Sequence, residues 1–455
     1  MAEKEKQDNA VAEKVKEGGS GLQENLNVLA KLGGFKFLET TVAGIKNLNP
    51  QRKALKNIFL SEDSKQAERA DLSRRLNLWL DLLENSNDVG EMVEKCQTKV
   101  EEANAGMSKN IGMALEETKE LEASYRSMSL FFQNCEQDKL RNLNIVNAAV
   151  EDLSNDAYTY QEDINLELWK NYDRLDLRDN YSMLVVPGWM GSKANVEKYA
   201  KIAHKSKVMM LTDYRNLGAF DEILDAYEAD DLADGEAHMS NVMMSCNWLA
   251  GREQYNEEED GMFVPPSAAL AGKMYKTLMS QVAAGKKFGS MTDVSGVRFP
   301  LMKGELSNLE KIGLVPMVNE YGKVMAFSAK TLFNGDNLGL QTYSVVRVFD
   351  YITKVLIDFL NRRTFENFDF NNKRDLQKQI TKFLNSISGA GKLIKKFEIL
   401  KFHQDPQDKT KIYLDLYLVP YFPSKNFTIS LFGQKGADTD DAEYAEWLAD
   451  YQQQQ

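Results

Sequence analysis

Histidine and cysteine are nearly absent from this chain. Only His204, His238 and His403 occur in 455 residues. They stand far apart in different segments, so neither a histidine-rich metal site nor a Ser-His-Asp arrangement has local support. The three cysteines, Cys96, Cys135 and Cys246, are widely spaced and include no CxxC pair. That argues against a disulfide framework and a thiolate metal site, and for a reducing compartment. No run of about 18 apolar residues occurs, and the opening MAEKEKQDNAVAEKVKEGGSG alternates charges without an apolar core. No membrane insertion is expected, and the cytoplasm is the default location. Basic charge is also short, with 56 Lys and Arg against 68 Asp and Glu, a net charge of -12. A nucleic-acid-coating role is a poor fit, because phosphate neutralisation needs a basic surface. Partners with basic patches fit better.

Signatures of catalysis and cofactor binding are equally thin. Gly389-Ala390-Gly391-Lys392 resembles the end of a phosphate loop, but Ser386 stands where the opening glycine belongs and Leu393 where Ser or Thr should follow the lysine. A helix C-cap at Gly389 or Gly391 is the better reading. The acidic stretch Asp225 to Glu236 fails as a calcium loop: with Gly235 sixth, Leu232 falls third and Asn241 twelfth, so it reads as a solvated loop. No catalytic, metal or cofactor-binding residue is nominated, and no cofactor is expected.

What the chain does have is length and apolar content, 43% of residues, enough for two or three domains with their own cores. Residues 1–24 read as a flexible charged arm that orders only on contact. Residues 25–180 are helical in pattern: Pro50 is the only proline before Pro187, and apolar positions recur at three and four, as in Leu76, Leu78, Trp79, Leu82 and Leu83 and again in Leu121, Tyr125, Met128 and Phe132. Such amphipathic helices need something to bury against, including other chains.

Residues 181–340 alternate strand and helix, with a strand in YSMLVVPGWMG (181–191), a helix at 196–206 and a strand at 207–213. In MFVPPSAALAGKMY (262–275), the double proline sets an extended approach, Ser267 is placed as an N-cap, and small residues open a closely packing helix. A helix with C-cap Gly313, a strand through Leu314 to Val318, a turn at Glu320 to Gly322 and a strand at 324–333 follow. Residues 341–433 read as a long helix (344–363), an aromatic-Asn connector, a second helix (373–388), a Gly turn and three strands. In KIYLDLYLV, Ile412, Leu414, Leu416 and Leu418 share one face; Phe427, Ile429 and Leu431 mark a last alternating strand. The helix at 373–388 carries Lys373, Arg374, Lys378 and Lys382 along one side and Leu376, Ile380, Phe383, Leu384 and Ile387 on the other. The acidic tail, 434–455, places Trp447 and Tyr451 on a short helix, or is disordered, or is a docking peptide. The fold class is mixed α+β and α/β: a helical N-terminal region, two α/β domains and a C-terminal mixed sheet.

The order of elements from Val324 to Leu431, the element VPPSAALAG, and the series Gly322, Val324, Thr331, Leu332 and Arg347 together resemble contractile tail-sheath proteins, and more closely the large sheath subunit of type VI secretion systems, the TssC/VipB family. Thr331, Leu332 and Arg347 are the sheath-motif residues in this resemblance. The resemblance implies a structural subunit, not an enzyme, that polymerises with copies of itself and with a small sheath subunit of the TssB/VipA type. It further implies an inner tube of the Hcp type, a baseplate and a recycling unfoldase of the ClpV type as partners. The small subunit would bind 25–180. The helix bearing Lys373, Arg374, Lys378 and Lys382 would face the tube, and the terminal strands with Ile412, Leu414, Leu416, Leu418, Phe427, Ile429 and Leu431 would form a sheet joining subunits. The chain departs from the family pattern in LELWKNYDRLDLRD (166–179), where a Trp-Arg-Gly-Leu stretch is expected, which suggests a divergent subtype. Two other readings stand beside it. One is a homopolymeric tail sheath of a phage or phage-derived particle; the other, of a different class, is a nucleotide-dependent α/β enzyme, which lacks the required phosphate loop.

Overall fold

The computed structural model describes residues 55, 58–155, 157–252, 261–425, 427, 430–434 and 444–448. The chain divides into two compact units, Met1–Glu116 and Glu117–Gln455. In the first, helix α1 (Gln66–Glu84) precedes α2 (Val89–Asn134), which continues into the second. Leu82, Leu83 and Met92 are buried in the first unit, and ion pairs such as Lys99 with Asp81 (3.4 Å) hold the polar side.

After α3 (Tyr160–Tyr172) the second unit builds a βα series: β1 (Met183–Val186), α4 (Lys193–Lys205), β2 (Met209–Asp213), α5 (Phe220–Asp230), β3 (Val242–Cys246), β4 (Leu249–Arg252), β5 (Met262–Val264), α6 (Ser267–Lys276), α7 (Lys303–Lys311), β6 (Leu314–Glu320) and β7 (Lys323–Ala326). Strands β1, β2, β3 and β6 lie side by side and parallel, and β7 closes the edge antiparallel to β6. Parallel strands need crossover helices, and those helices bury both faces of the sheet. On one face Val186, Met210, Met244 and Leu314 meet Tyr199, Ala200 and Ala203 of α4 and Ile223 and Tyr227 of α5. On the other, Leu211, Met243 and Val315 meet Leu270 and Met274 of α6 and Leu130 of α2. Alternation along each strand decides which side chain goes to which core. Gly272 lets α6 approach closely: a Cβ there would lie 2.4 Å from the Phe131 carbonyl oxygen of α2.

A third core belongs to α8 (Tyr343–Asn361), α9 (Phe370–Ile387), β8 (Ile394–Gln404) and β9 (Ile412–Pro420). Val348, Ile352 and Leu356, one turn apart on α8, pack with Leu376, Ile380 and Leu384 of α9. The helix α9 starts at Phe370, three residues before the expected start, because the Asp369 carboxylate caps it by accepting from the Asn372 amide at 2.8 Å.

Several local expectations are corrected. The strand after Gly322 stops at Ala326: Phe327 makes the last bond to β6, donating to the Pro316 carbonyl (3.0 Å), and Thr331 and Leu332 then donate to Gln341 and Val242 instead. The cap of α7 is Ile312, with Gly313 one residue beyond at φ 89. The first half of the acidic stretch is helix, since α5 runs to Asp230, whose carboxylate accepts from Tyr214 and Arg215, each at 2.7 Å. In the tail, Trp447 lies in a strand and not on a short helix, and Tyr451 falls outside the described residues: β10 (Ser430–Gln434) pairs antiparallel with β11 (Tyr444–Leu448), Leu431 opposite Trp447. Five residues make too short a helix to stand without packing, whereas a paired strand satisfies its backbone at once. Among the described residues no helix is long and apolar enough to cross a membrane.

Candidate functional site

The motif residues lie where the chain passes from the sheet to α8. Thr331 is fully buried; its hydroxyl donates to the Leu340 carbonyl (2.7 Å) and accepts from the Phe333 amide (3.3 Å). The Leu332 amide donates to Val242 at the start of β3, and its carbonyl accepts from Asp234. These two residues therefore stitch the segment after β7 onto the parallel sheet. Arg347 sits on α8 with 8% of its surface exposed, and its hydrogen bond, 3.5 Å long, runs to the Met274 carbonyl, away from the Thr331 network.

On α9, Arg374, Lys378 and Lys382 are exposed and Lys373 is half-buried, while Leu376, Ile380 and Leu384 are buried. Spacings of four place the three exposed cations on one face. None of the four has an ion-pair partner among the described residues; Asp375, beside them, is taken by Arg363 at 3.0 Å. Strands β8 and β9 form a two-stranded antiparallel sheet, with Leu416 opposite Ile399 and Leu418 opposite Phe397. Leu414, Leu416 and Leu418 pack on the α8–α9 core, whereas Ile412, at the start of β9, is exposed, and so are Tyr413 and Tyr417 on the other face. Each strand has one partner strand among the described residues, and apart from the bridge of Ser388 to Ile394 at the start of β8 no further strand pairs with their outer edges there. Phe427 is exposed and precedes β10, Leu431 lies in β10, and Ile429 falls outside the described residues.

Sequence reasoning missed Asp213. This carboxylate ends β2, wholly buried, and accepts from the Gly188 amide (2.9 Å), the Ser267 amide (2.8 Å), the Ser267 hydroxyl (2.5 Å) and the Ser245 hydroxyl. Ser267 is thus not the N-cap of α6; Pro266 holds that position and Ser267, one residue on, is spent on Asp213. Burial pushes the carboxyl up to about 6, against the pull of these donors. The group ties the ends of three strands to the start of α6. An acid closing an otherwise apolar strand, MMLTD, was the available signal.

The histidines serve separate contacts: His204 bonds Asn241 (2.7 Å), His238 faces Glu197 (3.5 Å) and His403 lies beside Tyr413. At Gly389 to Lys392 the backbone is turned by Gly389 (φ 116) and Gly391 (φ 72), and the Gly389 amide donates to Ile394. Amides that a phosphate loop would aim at a ligand are here spent on the turn into β8.

Three family models match in order along the chain: the TssC/VipB-like N-terminal region over residues 22–111, the type VI secretion system TssC/VipB central domain over 113–334, and the TssC/VipB-like C-terminal domain over 342–453. The class they define is a structural subunit of a contractile sheath. The chain belongs to the TssC/VipB family of type VI secretion systems. Among curated proteins, none matches. Solved structures similar to the chain include the anti-feeding prophage baseplate (14% identity, 67% of this chain and 79% of that one, TM-score 0.46) and the contracted helical sheath of the same particle (13%, 68% and 81%, 0.45). A third is the contracted PVC sheath complex of an extracellular contractile injection system (13%, 65% and 88%, 0.44). These likenesses are distant, and the family assignment rests on the three models.

Proposed function

We propose that the chain is the large subunit of a type VI sheath that co-assembles with a small sheath subunit through its N-terminal helices, surrounds an inner tube, and contracts to drive that tube. The observation that carries this reading is the presence of all three TssC/VipB matches, in order, over nearly the whole chain. In this reading residues 25–180 hold the small subunit, 181–340 form the central domain, and 341–433 form the C-terminal domain. A baseplate nucleates the polymer and an unfoldase recycles it, all in the cytoplasm; the work is mechanical, not catalytic. The exposed basic face of α9 suits an acidic tube surface, and the open edges of β8 and β9 suit strand exchange between subunits.

Negative-stain microscopy of the chain co-expressed with its genomic neighbour should show tubes with a cogwheel cross-section; the same chain expressed alone should be unstable. A well-folded solitary monomer with a cooperative melt and no tubes on co-expression sinks the proposal. Two variants dissect it. Leu416→Asp puts a charge against the α8–α9 core, costs several kcal/mol locally (roughly 3 or more) and should abolish tubes while the central domain stays folded. Lys378→Glu with Lys382→Glu changes stability by only about 0.5 kcal/mol, yet should remove extended, tube-filled sheath. Full-length tubes in the first variant mean that this sheet does not link the subunits, and extended filled sheath at normal frequency in the second returns the basic face of α9 to an ordinary solvent-facing surface.

A further inference from the structure

A cavity of about 350 Å³ opens between α8 and the segment that leads into β1. Its wall carries Arg347, Lys354, Lys207 and Tyr351, with Asn180 on the facing segment. Charge is unevenly matched there. The two acids that line it are already engaged: Asp350 accepts from Asn241 at 2.8 Å and faces Lys207 at 3.8 Å, and Asp358 accepts from the Leu177 amide (2.9 Å) and from Arg362. Of the cations, Lys207 faces Asp350, Arg178 pairs with Asp176 and Arg141 lies 3.8 Å from Asp179, which leaves Arg347 and Lys354. Arg347, more than nine-tenths buried, spends one of its five donors on a 3.5 Å bond to the Met274 carbonyl, and no carboxylate lies within ion-pair distance of it among the described residues. Lys354 donates to the Tyr181 carbonyl at 2.7 Å and likewise has no ion-pair partner there. The Asn180 side-chain oxygen is buried without a hydrogen-bond partner. Oxygen and nitrogen of an amide exchange by a flip, so Asn180 can equally present its NH2 to this space.

An unpaired buried guanidinium is expensive unless something neutralises it, and a planar fork of donors matches a carboxylate in two parallel bonds. Burial pulls the Lys354 ammonium down to about 8, against the attraction of Asp350, and Arg347 down to about 10, so a further anion at either cation would be favoured. Seven residues separate the two cations, about two turns or roughly 10 Å along the helix, with Tyr351 between them, a span that two long side chains close around one anionic group.

We propose that this cavity is a carboxylate-binding site, in which Arg347 and Lys354 grip an acidic group and Tyr351 and Asn180 add hydrogen bonds. The chain itself has a net charge of -12, so in a polymer of its copies the carboxylate at highest local concentration is an acidic side chain of a neighbouring copy. This choice of source rests on the sheath reading above; the site does not.

The test uses the full chain co-purified with its encoded small partner. Calorimetric titration with succinate at constant ionic strength should show one saturable site per chain. Lys354→Gln and Arg347→Met should each weaken it at least tenfold, and Lys311→Gln, exposed at the end of α7, should leave it unchanged. Should Arg347→Met fail to fold, Lys354→Gln carries the test. Absence of saturable succinate binding, indifference to both variants, or phosphate binding tenfold tighter than succinate overturns the proposal. Assembly separates the sources. If a neighbour's side chain fills the site, saturating succinate and Lys354→Gln both lower tube yield; if a free carboxylate fills it, succinate leaves yield intact or raises it. Succinate binding in a wild-type chain that forms no tubes sustains the site and overturns the sheath reading alone.

Discussion

Leu76 and Leu80 on α1 and Tyr199 and Ala203 on α4 obey the same four-residue spacing, yet the first pair is 38% and 52% exposed and the second 1% and 0%. Periodicity decides which residues share a face and says nothing about what covers it. The α4 helix is the tether between two parallel strands, so chain connectivity forces it down onto the sheet. The α1 helix has no such tether. Leu82 and Leu83 are buried beside it, while Leu72, Leu78 and Trp79 keep 38% to 45% of their surface. Apolar side chains left this open among the described residues suit an interaction surface, and the small sheath subunit is the proposed occupant.

Breaking the covered side should give the largest effect. Met244→Asp, at a fully buried position in the middle strand, places an unpaired charge in the first core and should cost on the order of 4 kcal/mol or more, removing the cooperative melt followed by circular dichroism. A melt within a few degrees of wild type, roughly what 0.5 kcal/mol would give, would mean that this core tolerates charge.

The next effect is a pH dependence confined to the sheet. Asp213 ordinarily titrates near 3.8 and is raised to about 6 in the fold by burial. A raised carboxyl contributes its stability below the ordinary value and loses it as pH rises through about 6. Wild type should therefore lose on the order of 3 kcal/mol between pH 4 and pH 7 through this group. Asp213→Asn starts less stable, because four donors lose a carboxylate, but lacks the slope. The gap between the two proteins, measured by urea unfolding, should narrow as pH rises. A constant gap across that range shows that the carboxyl does not titrate there.

The smallest effect on stability, with the sharpest contrast in function, belongs to the open side. Leu80→Ser should shift unfolding by no more than about 0.5 kcal/mol while lowering the amount of small subunit that co-purifies. Undiminished co-purification would place the partner elsewhere on the chain.

Much of the fold was legible because its signals are local. Tyr321 and Gly322 adopt positive φ to turn β6 into β7 where a turn was expected, whereas the caps Ser192 and Asp369, which start α4 and α9 three residues before the expected positions, were not read. The basic stripe on α9 and the alternation of β9 could be read for the same reason, since a helix or strand period needs only the residues of that element. Ser267 shows where such reading fails. Its position before a small-residue helix is that of an N-cap, yet its hydroxyl goes to Asp213, 54 residues earlier, because a buried carboxylate takes every donor within reach. The state of Trp447 stayed open between a short helix, disorder and a docking peptide because the strand that pairs with it lies outside its local pattern.

The sequence by itself determined the periods, the turns and the order of elements, which are consequences of backbone sterics and side-chain spacing over a few residues. Tertiary structure alone decided which apolar faces became core, which acid became the buried anchor of the sheet, and that Arg347 would lie unpaired beside Lys354, whose ammonium meets a carbonyl 173 residues away. Burial and the matching of buried charge depend on what the completed fold brings together, and no local pattern carries that information.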